Sequence, residues 1–396
     1  MNLRFTPAQD ALRAEIRAFL AGALPATLRE RLRQGWFPTR EEIVDWQRRL
    51  AARGWGAPNW PREFGGTGWT EIEQLIFLEE TCRAPAPAPH VFNVTMLGPV
   101  LIRFGTEAQR AAWLPRLLRA DVLFCQGFSE PEAGSDLASL RSSATVDADD
   151  YLIDGQKTWT TSAHYADWIF CLLRTDAAAP KHKGISLILV PLDAPGVTVR
   201  PIVSIDGRHS LNEVFFDRVR VPRANLVGQE NHGWDYARYL LGNERTSIAG
   251  VARSRERLDY AVELAGRDGR TRGLDPGFRR RVAALDAELA ALDIAQYRAL
   301  ADSGAAPGDK VAAASVLKLK GTELFQQVMD LLLEAGGPEA LRLAQPRLGD
   351  APAGADAAPV QALGAAHLYS RAASIYGGAN EIQRNLLARH VFGERR

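Results

Sequence analysis

An α+β architecture, with one β block between two helical blocks, is what this sequence predicts, and three observations carry it. Capped stretches with apolar residues at helical spacing fill the first third. Segments of strand length and β-type composition then follow one another with no helical stretch between them. Helical spacing returns from Gly233. The chain divides into an N-terminal helical domain over 1–120, a central antiparallel β-sandwich or barrel over 121–230, and a C-terminal four-helix bundle over 231–396.

The elements follow in order. Thr6-Pro7 gives an N-cap and a first-turn proline ahead of Leu12, Ile16, Phe19 and Leu20 on one face. Thr39 with Glu42 forms a capping box before Ile43, Trp46 and Leu50, and Gly54 stops that helix. Thr106 with Gln109 repeats the device before Trp113 and Leu117, and GAPNWPREFGGTGWT reads as a loop between them. In the middle, VLFCQGF, YLIDGQKTWTT, WIFCLLRT, GISLILVPL, VTVRPIV and EVFFDRVRV are the strands, with turns expected at Asp154-Gly155 and Asp206-Gly207. Helices are predicted over 236–264, 276–301 and 310–335, and the Ala-, Pro- and Gly-rich stretch 349–364 reads as a surface loop. The last helix follows Gly377-Gly378, carries Ile382, Leu386 and Leu387, and stops at Gly393.

Composition excludes several classes. A net charge of +1 gives no basic face for nucleic acid. Cys82, Cys125 and Cys171 are too scattered for a disulfide framework, and neither they nor the seven histidines show metal-ligand spacing, so no metal is expected. The first residues lack a signal core and no apolar run is long enough to span a membrane, so a soluble cytoplasmic protein is expected.

Three segments could carry chemistry. FSEPEAGSD, 128–136, offers hydroxyls and backbone N–H groups to a polar ring edge or a phosphate chain; alone, it reads first as a turn with an Asp cap. Trp159, Thr160 and Thr161 set an indole beside two hydroxyls, fit to stack on a flat heteroaromatic group and bond its edge; alone, they are a core Trp among strand-favouring threonines. The Gly377-Gly378 pair ahead of a helix leaves N–H groups for an anion or a developing oxyanion.

Together with GISLILVPLDAPGVTVRPI, NEVFFDRVRVPRANLVG and IYGGANEIQR, these segments resemble the acyl-CoA dehydrogenase family in family order over nearly the whole chain. Within it the likeness is greatest to the pimeloyl-CoA dehydrogenase large-subunit branch, which acts on CoA thioesters of dicarboxylic acids and assembles from two related subunits. The resemblance implies FAD as cofactor, lined by Gln126, Gly127, Phe128, Ser129, Gly134, Ser135, Trp159, Thr160, Thr161, Gly378, Ala379 and Glu381. It places Ser135 and Gly378 against substrate and an electron-transfer flavoprotein as acceptor, with oxygen the alternative acceptor; Arg245 is expected against the CoA moiety or an internal carboxylate.

Most members carry a catalytic glutamate where this chain has Gly377, which leaves a backbone N–H for the thioester oxygen but no base. Tyr236, Leu240, Glu244 and Ile248 recur at i+4, so Glu244 lies on an apolar helix stripe, where an unpaired carboxylate has a raised pKa. Isovaleryl-CoA and long-chain acyl-CoA dehydrogenases place their glutamate on the matching helix in the same Glu-Arg context, so the resemblance implies Glu244 as base. Pairing with an arginine, to brace the fold, is the alternative. A further alternative is a non-catalytic or half-catalytic subunit of a hetero-oligomer. Two departures stand out: the Arg-x-Phe-Gly stretch that binds a neighbouring subunit's FAD pyrophosphate is replaced by AGRDGRTRGLDPGF, whose Arg267, Arg270 or Arg272 either meets the phosphates or is a solvated loop charge, and Leu333 replaces a glutamine near Gly336-Gly337.

Overall fold

The computed structural model of the chain describes residues 4–243, 249–267, 272–301, 306–341, 360 and 362–393. The N-terminal block holds α1 (Pro7–Ala23), α2 (Ala26–Arg33), α3 (Arg40–Ala52), α4 (Glu71–Arg83), α5 (Gly98–Phe104) and α6 (Glu107–Leu118), with a π-helical turn over Phe92–Leu97. Thr6, Thr39 and Thr106 each accept the N–H three residues on, and Gln9, Glu42 and Gln109 accept the cap N–H in return. The stretch read as a loop ends in a further box, Thr70 with Glu73, which starts α4. Ile16, Leu20, Trp46 and Leu50 pack with Ile76 and Phe77 of α4.

The middle block is one sheet of β1 (Phe124–Gly127), β2 (Ser143–Asp147), β3 (Asp150–Lys157), β4 (Trp168–Arg174), β5 (Ile185–Pro191), β6 (Val197–Val203), β7 (His209–Pro222) and β8 (Leu226–Val227). Its order is β6-β7-β3-β2-β4-β5-β8, with β1 beside β4. Pairing is antiparallel except where β4 runs parallel to β1 and touches β2. Both faces of β5 are covered: Ile185, Leu187 and Leu189 join a core with α5 and α6, while Ile188 and Val190 point into a second core. That is why its sequence is a continuous apolar run and not an alternating one.

The turn expected at Asp154-Gly155 is not there. Both residues lie inside β3, where Gly155 has φ +145° at a register shift against β7. A Cβ on Gly155 would stand 2.3 Å from Ser142 Oγ, so glycine serves close approach and a bulge instead of a hairpin. The hairpin forms between β2 and β3 at Ala148, φ +57°. The Asp206-Gly207 turn is present, with Gly207 donating to Ser204 O at 2.8 Å.

The C-terminal block contains α7 (Gly233–Asn243), α8 (Val251–Gly266), α9 (Pro276–Ala301), α10 (Pro307–Gly336), α11 (Leu363–Ser370) and α12 (Asn380–Phe392). The single helix expected over 236–264 is two. α7 packs on β5 and α5, α8 packs on α10, and Gly250 with φ +58° opens α8. α10 is the central post, touching α8, α9, α11 and α12, with Leu289 of α9 and its own Leu324, Val328 and Leu332 fully buried. The loop expected over 349–364 mostly lies outside the described residues, but Leu363 and Gly364 are buried at the start of α11. Among the described residues no helix is long and apolar enough to cross a membrane, and no cluster of three His, Cys, Asp or Glu could hold a metal.

Candidate active site

β1 emerges from the sheet at Gly127, whose Cβ would meet Cys171 Sγ at 2.6 Å; glycine lets β1 lie close against β4. Two residues on, the Ser129 carbonyl accepts the Thr158 N–H at 2.9 Å, so the chain after β1 and the chain after β3 are tied side by side. The two segments read separately from the sequence are therefore one surface. Thr160 is anchored twice to Asn212 of β7: its N–H donates to Asn212 O, and Asn212 Nδ2 donates to its carbonyl, both at 2.9 Å. Trp159 is held between these ties at φ +58° with its side chain 59% exposed. A left-handed, outward-facing indole is costly in a surface loop unless something covers it.

Beside it, Thr160 Oγ1 and Gln126 Nε2 are buried without a hydrogen-bond partner among the described residues. Buried polar groups are ordinarily paired, so orphaned ones mark a missing neighbour. A planar heteroaromatic ring with polar edges meets all three demands, and the expected FAD fits. Phe128 is buried, Ser129 and Thr161 are half-buried, and Gly134 and Ser135 are exposed on the turn that follows. That turn is closed by reciprocal Glu130–Ala133 backbone bonds at 3.0 Å.

The whole surface rests on an ion pair that sequence reading missed. Lys157, fully buried at the end of β3, donates to Glu130 at 2.7 Å, to Leu172 O at 2.7 Å and to Phe128 O at 3.3 Å. Glu130 in turn accepts the N–H groups of Arg141 and Ser142. Burial opposes ionisation of Glu130, but Lys157 and these donors outweigh it and hold the carboxyl below its usual range. A lysine two residues before an exposed Trp and a glutamate two residues past Phe128 were the available signal.

The second cluster is C-terminal. Gly377 and Gly378 adopt φ +65° and +83°, and among the described residues neither N–H has an acceptor. Gln383 Nε2 donates to Gly378 O at 3.3 Å and its amide oxygen accepts from Ser315 Oγ at 2.8 Å; Thr322 Oγ1 donates to Asn380 Oδ1 at 3.2 Å. α12 therefore buries Asn380 and Gln383 against α10, while Ile382, Leu386 and Leu387, expected as its buried stripe, are only half-buried. Ala379 is the uncapped N-cap, and the Glu381 carboxylate is exposed, 3.7 Å from Arg384. No hydrogen bond or ion pair among the described residues joins 377–381 to 126–135 or 159–161.

Glu244 and Arg245 lie outside the described residues. Among the described residues on either side, Tyr236 and Leu240 are buried, and the Ala249 carbonyl would stand 2.1 Å from a Cβ on Gly321 of α10. Of the arginines considered for phosphate, Arg267 pairs with Glu263, Arg272 pairs with Glu334 at 3.4 Å, and Arg270 lies outside the described residues. Leu333 packs against the C-terminal core.

Comparison with known proteins gives three consecutive matches: the acyl-CoA dehydrogenase N-terminal domain over residues 6–121, the middle domain over 125–219 and the C-terminal domain over 231–392. The chain is similar to acyl-CoA dehydrogenase IpdE1 of Mycobacterium tuberculosis, 37% identical over 97% of each chain. Among solved structures, the Tcur3481-Tcur3483 steroid ACAD superposes with a TM-score of 0.86 at 33% identity over all of both chains. The ChsE4-ChsE5 complex from Mycobacterium tuberculosis gives 0.82 at 32% identity, again over all of both chains.

Proposed function

This chain belongs to the acyl-CoA dehydrogenase family and is an FAD-binding oxidoreductase of acyl-CoA thioesters, and from that premise we propose how its residues share the reaction. Bound FAD supplies the acceptor for the hydride that leaves the β carbon. Trp159 covers the flavin, while Gln126, Thr160 and Thr161 bond its polar edge and Gly127 to Ser129 line it. Glu244 takes the α proton. The Gly377 N–H donates to the thioester oxygen, where negative charge gathers as the proton leaves. Ser135 and Arg245 meet the CoA arm, and Gly378 to Glu381 close the substrate side with backbone donors.

The observation that carries this reading is at Gly377. Its N–H is unbonded among the described residues and it has no side chain, so the donor is kept and the acid must come from elsewhere. By sequence spacing Glu244 follows Leu240 and Tyr236 at i+4 and i+8, and both of those are buried, which supports it as that acid. The same glycine leaves room beside the α carbon for a bulky acyl group, in keeping with the steroid enzyme among its structural neighbours. We assign a bulky acyl-CoA as substrate and electron-transfer flavoprotein as acceptor. Because the two solved relatives are each named as a pair of proteins, a related second subunit is the expected partner.

Anaerobic titration of the FAD-loaded protein, alone and with its partner, against bulky, straight-chain and dicarboxylyl-CoA thioesters tests this. Bleaching by the bulky thioesters is expected. Bleaching confined to dicarboxylyl-CoA would reassign the substrate, and bleaching by none would leave a half-catalytic subunit.

A further inference from the structure

We propose that Lys318 is a positioning residue for the oxyanion donor: through the Tyr376–Gly377 peptide it aims and strengthens the Gly377 N–H. The inference rests on the reading of that N–H given above. Lys318 stands on α10 with its side chain 2% exposed. Its ammonium donates to Ala373 O at 2.8 Å and to Tyr376 O at 2.7 Å, and lies 5.0 Å from the Tyr376 ring centre. These carbonyls bracket the last turn before the glycine pair, so one buried cation pins the loop from below.

The geometry of one peptide unit does the rest. In a trans peptide the C=O and N–H point to opposite edges. With Tyr376 O turned in toward the ammonium, the Gly377 N–H is turned away from α10, on a residue that is exposed and left-handed. A charge-assisted hydrogen bond at the oxygen also draws electron density toward that end and makes the N–H a stronger donor. The fixed positive charge acts in addition through space: it stands 3.6 Å from where a Cβ on Gly377 would be, close to where thioester charge develops. Ser315, Thr322 and Gln383 brace the opposite side of the loop with neutral groups, whereas Lys318 brings a charged one.

The test uses full-length, FAD-loaded protein carrying Lys318→Met or Lys318→Gln; the glutamine keeps a neutral donor should the apolar variant fail to fold. The probe is 4-dimethylaminocinnamoyl-CoA, whose absorption moves to the red when its thioester carbonyl is polarised. Wild type is expected to give the red shift. Both variants should bind the probe within about threefold of wild type, lose at least half of the shift, and show kcat lowered by about 10- to 100-fold. A residue that merely held the fold would lower melting temperature and flavin content, yet leave the shift intact in the molecules that still bind. A full shift in folded Lys318→Gln overturns the role of Lys318 and leaves the Gly377 reading standing. No shift in wild type overturns the Gly377 reading, and this inference with it.

Discussion

Lys157 and Glu130 form a buried ion pair at 2.7 Å at the base of the turn and the indole proposed to hold the flavin. The pair is satisfied on all sides, by two carbonyls at the ammonium and two backbone N–H groups at the carboxylate. Removing one partner strands the other in the interior. Lys157→Met is expected to cost about 3–5 kcal/mol in chemical denaturation. Double replacement by apolar residues should recover much of that stability while flavin retention stays impaired. A single variant as stable as wild type would show that the pair does not support this surface.

Trp159 reports the cofactor site without the fold. Its side chain is mostly outside the core, so Trp159→Ala should leave the stability of the flavin-free protein within about 0.5 kcal/mol of wild type. FAD retention, followed by flavin fluorescence on dilution, should weaken by about 3- to 10-fold, the worth of one aromatic contact. Equal flavin affinity in the variant would remove Trp159 from the site.

What the sequence made legible, and what it hid, follow physical lines. Local signals survived folding: the boxes at Thr6, Thr39 and Thr106 form as read, because a cap is decided within four residues. Asp154-Gly155 misled because a dipeptide cannot tell a hairpin from a bulge; the deciding contact, Ser142, is set by strand pairing. The 236–264 stretch kept helical spacing across a break that only Gly250 betrayed. In the candidate site, Trp159 and Thr160 stand out in the sequence by residue chemistry and Gln126 by family likeness, whereas Lys157, Glu130, Asn212 and Lys318 do not stand out. Those four act through carbonyls and amides distant in sequence, and a buried lysine looks like any other lysine until its partners are known.

Acid should loosen the same region through His90. Asn93 ties His90 to the start of β1: its N–H meets His90 Nδ1 at 3.4 Å, and its side-chain oxygen accepts from Phe124 N at 3.0 Å. Burial, opposed only in part by the hydrogen bond with Asn93, pushes the imidazole down to about 4. An unfolded histidine takes up a proton near pH 6.5, so between about 6.5 and 4 only the unfolded chain is protonated there, and stability falls as pH falls. His90 should account for a loss of about 3 kcal/mol over that window, complete near pH 4 and absent above neutrality. Denaturation curves of wild type and His90→Gln at several pH values check this; the variant should lack that share of the slope, and parallel slopes would contradict it.

Proton removal at the α carbon is the step assigned to Glu244, and it can be watched apart from flavin reduction. Exchange of the α hydrogen of an acyl-CoA analogue that cannot be oxidised, followed by proton NMR in deuterated buffer with FAD-loaded protein, reads it directly. Wild type is expected to exchange, and Glu244→Gln, with its FAD retained, to fall to the solvent background. Undiminished exchange in that variant would contradict the assignment and place the base elsewhere.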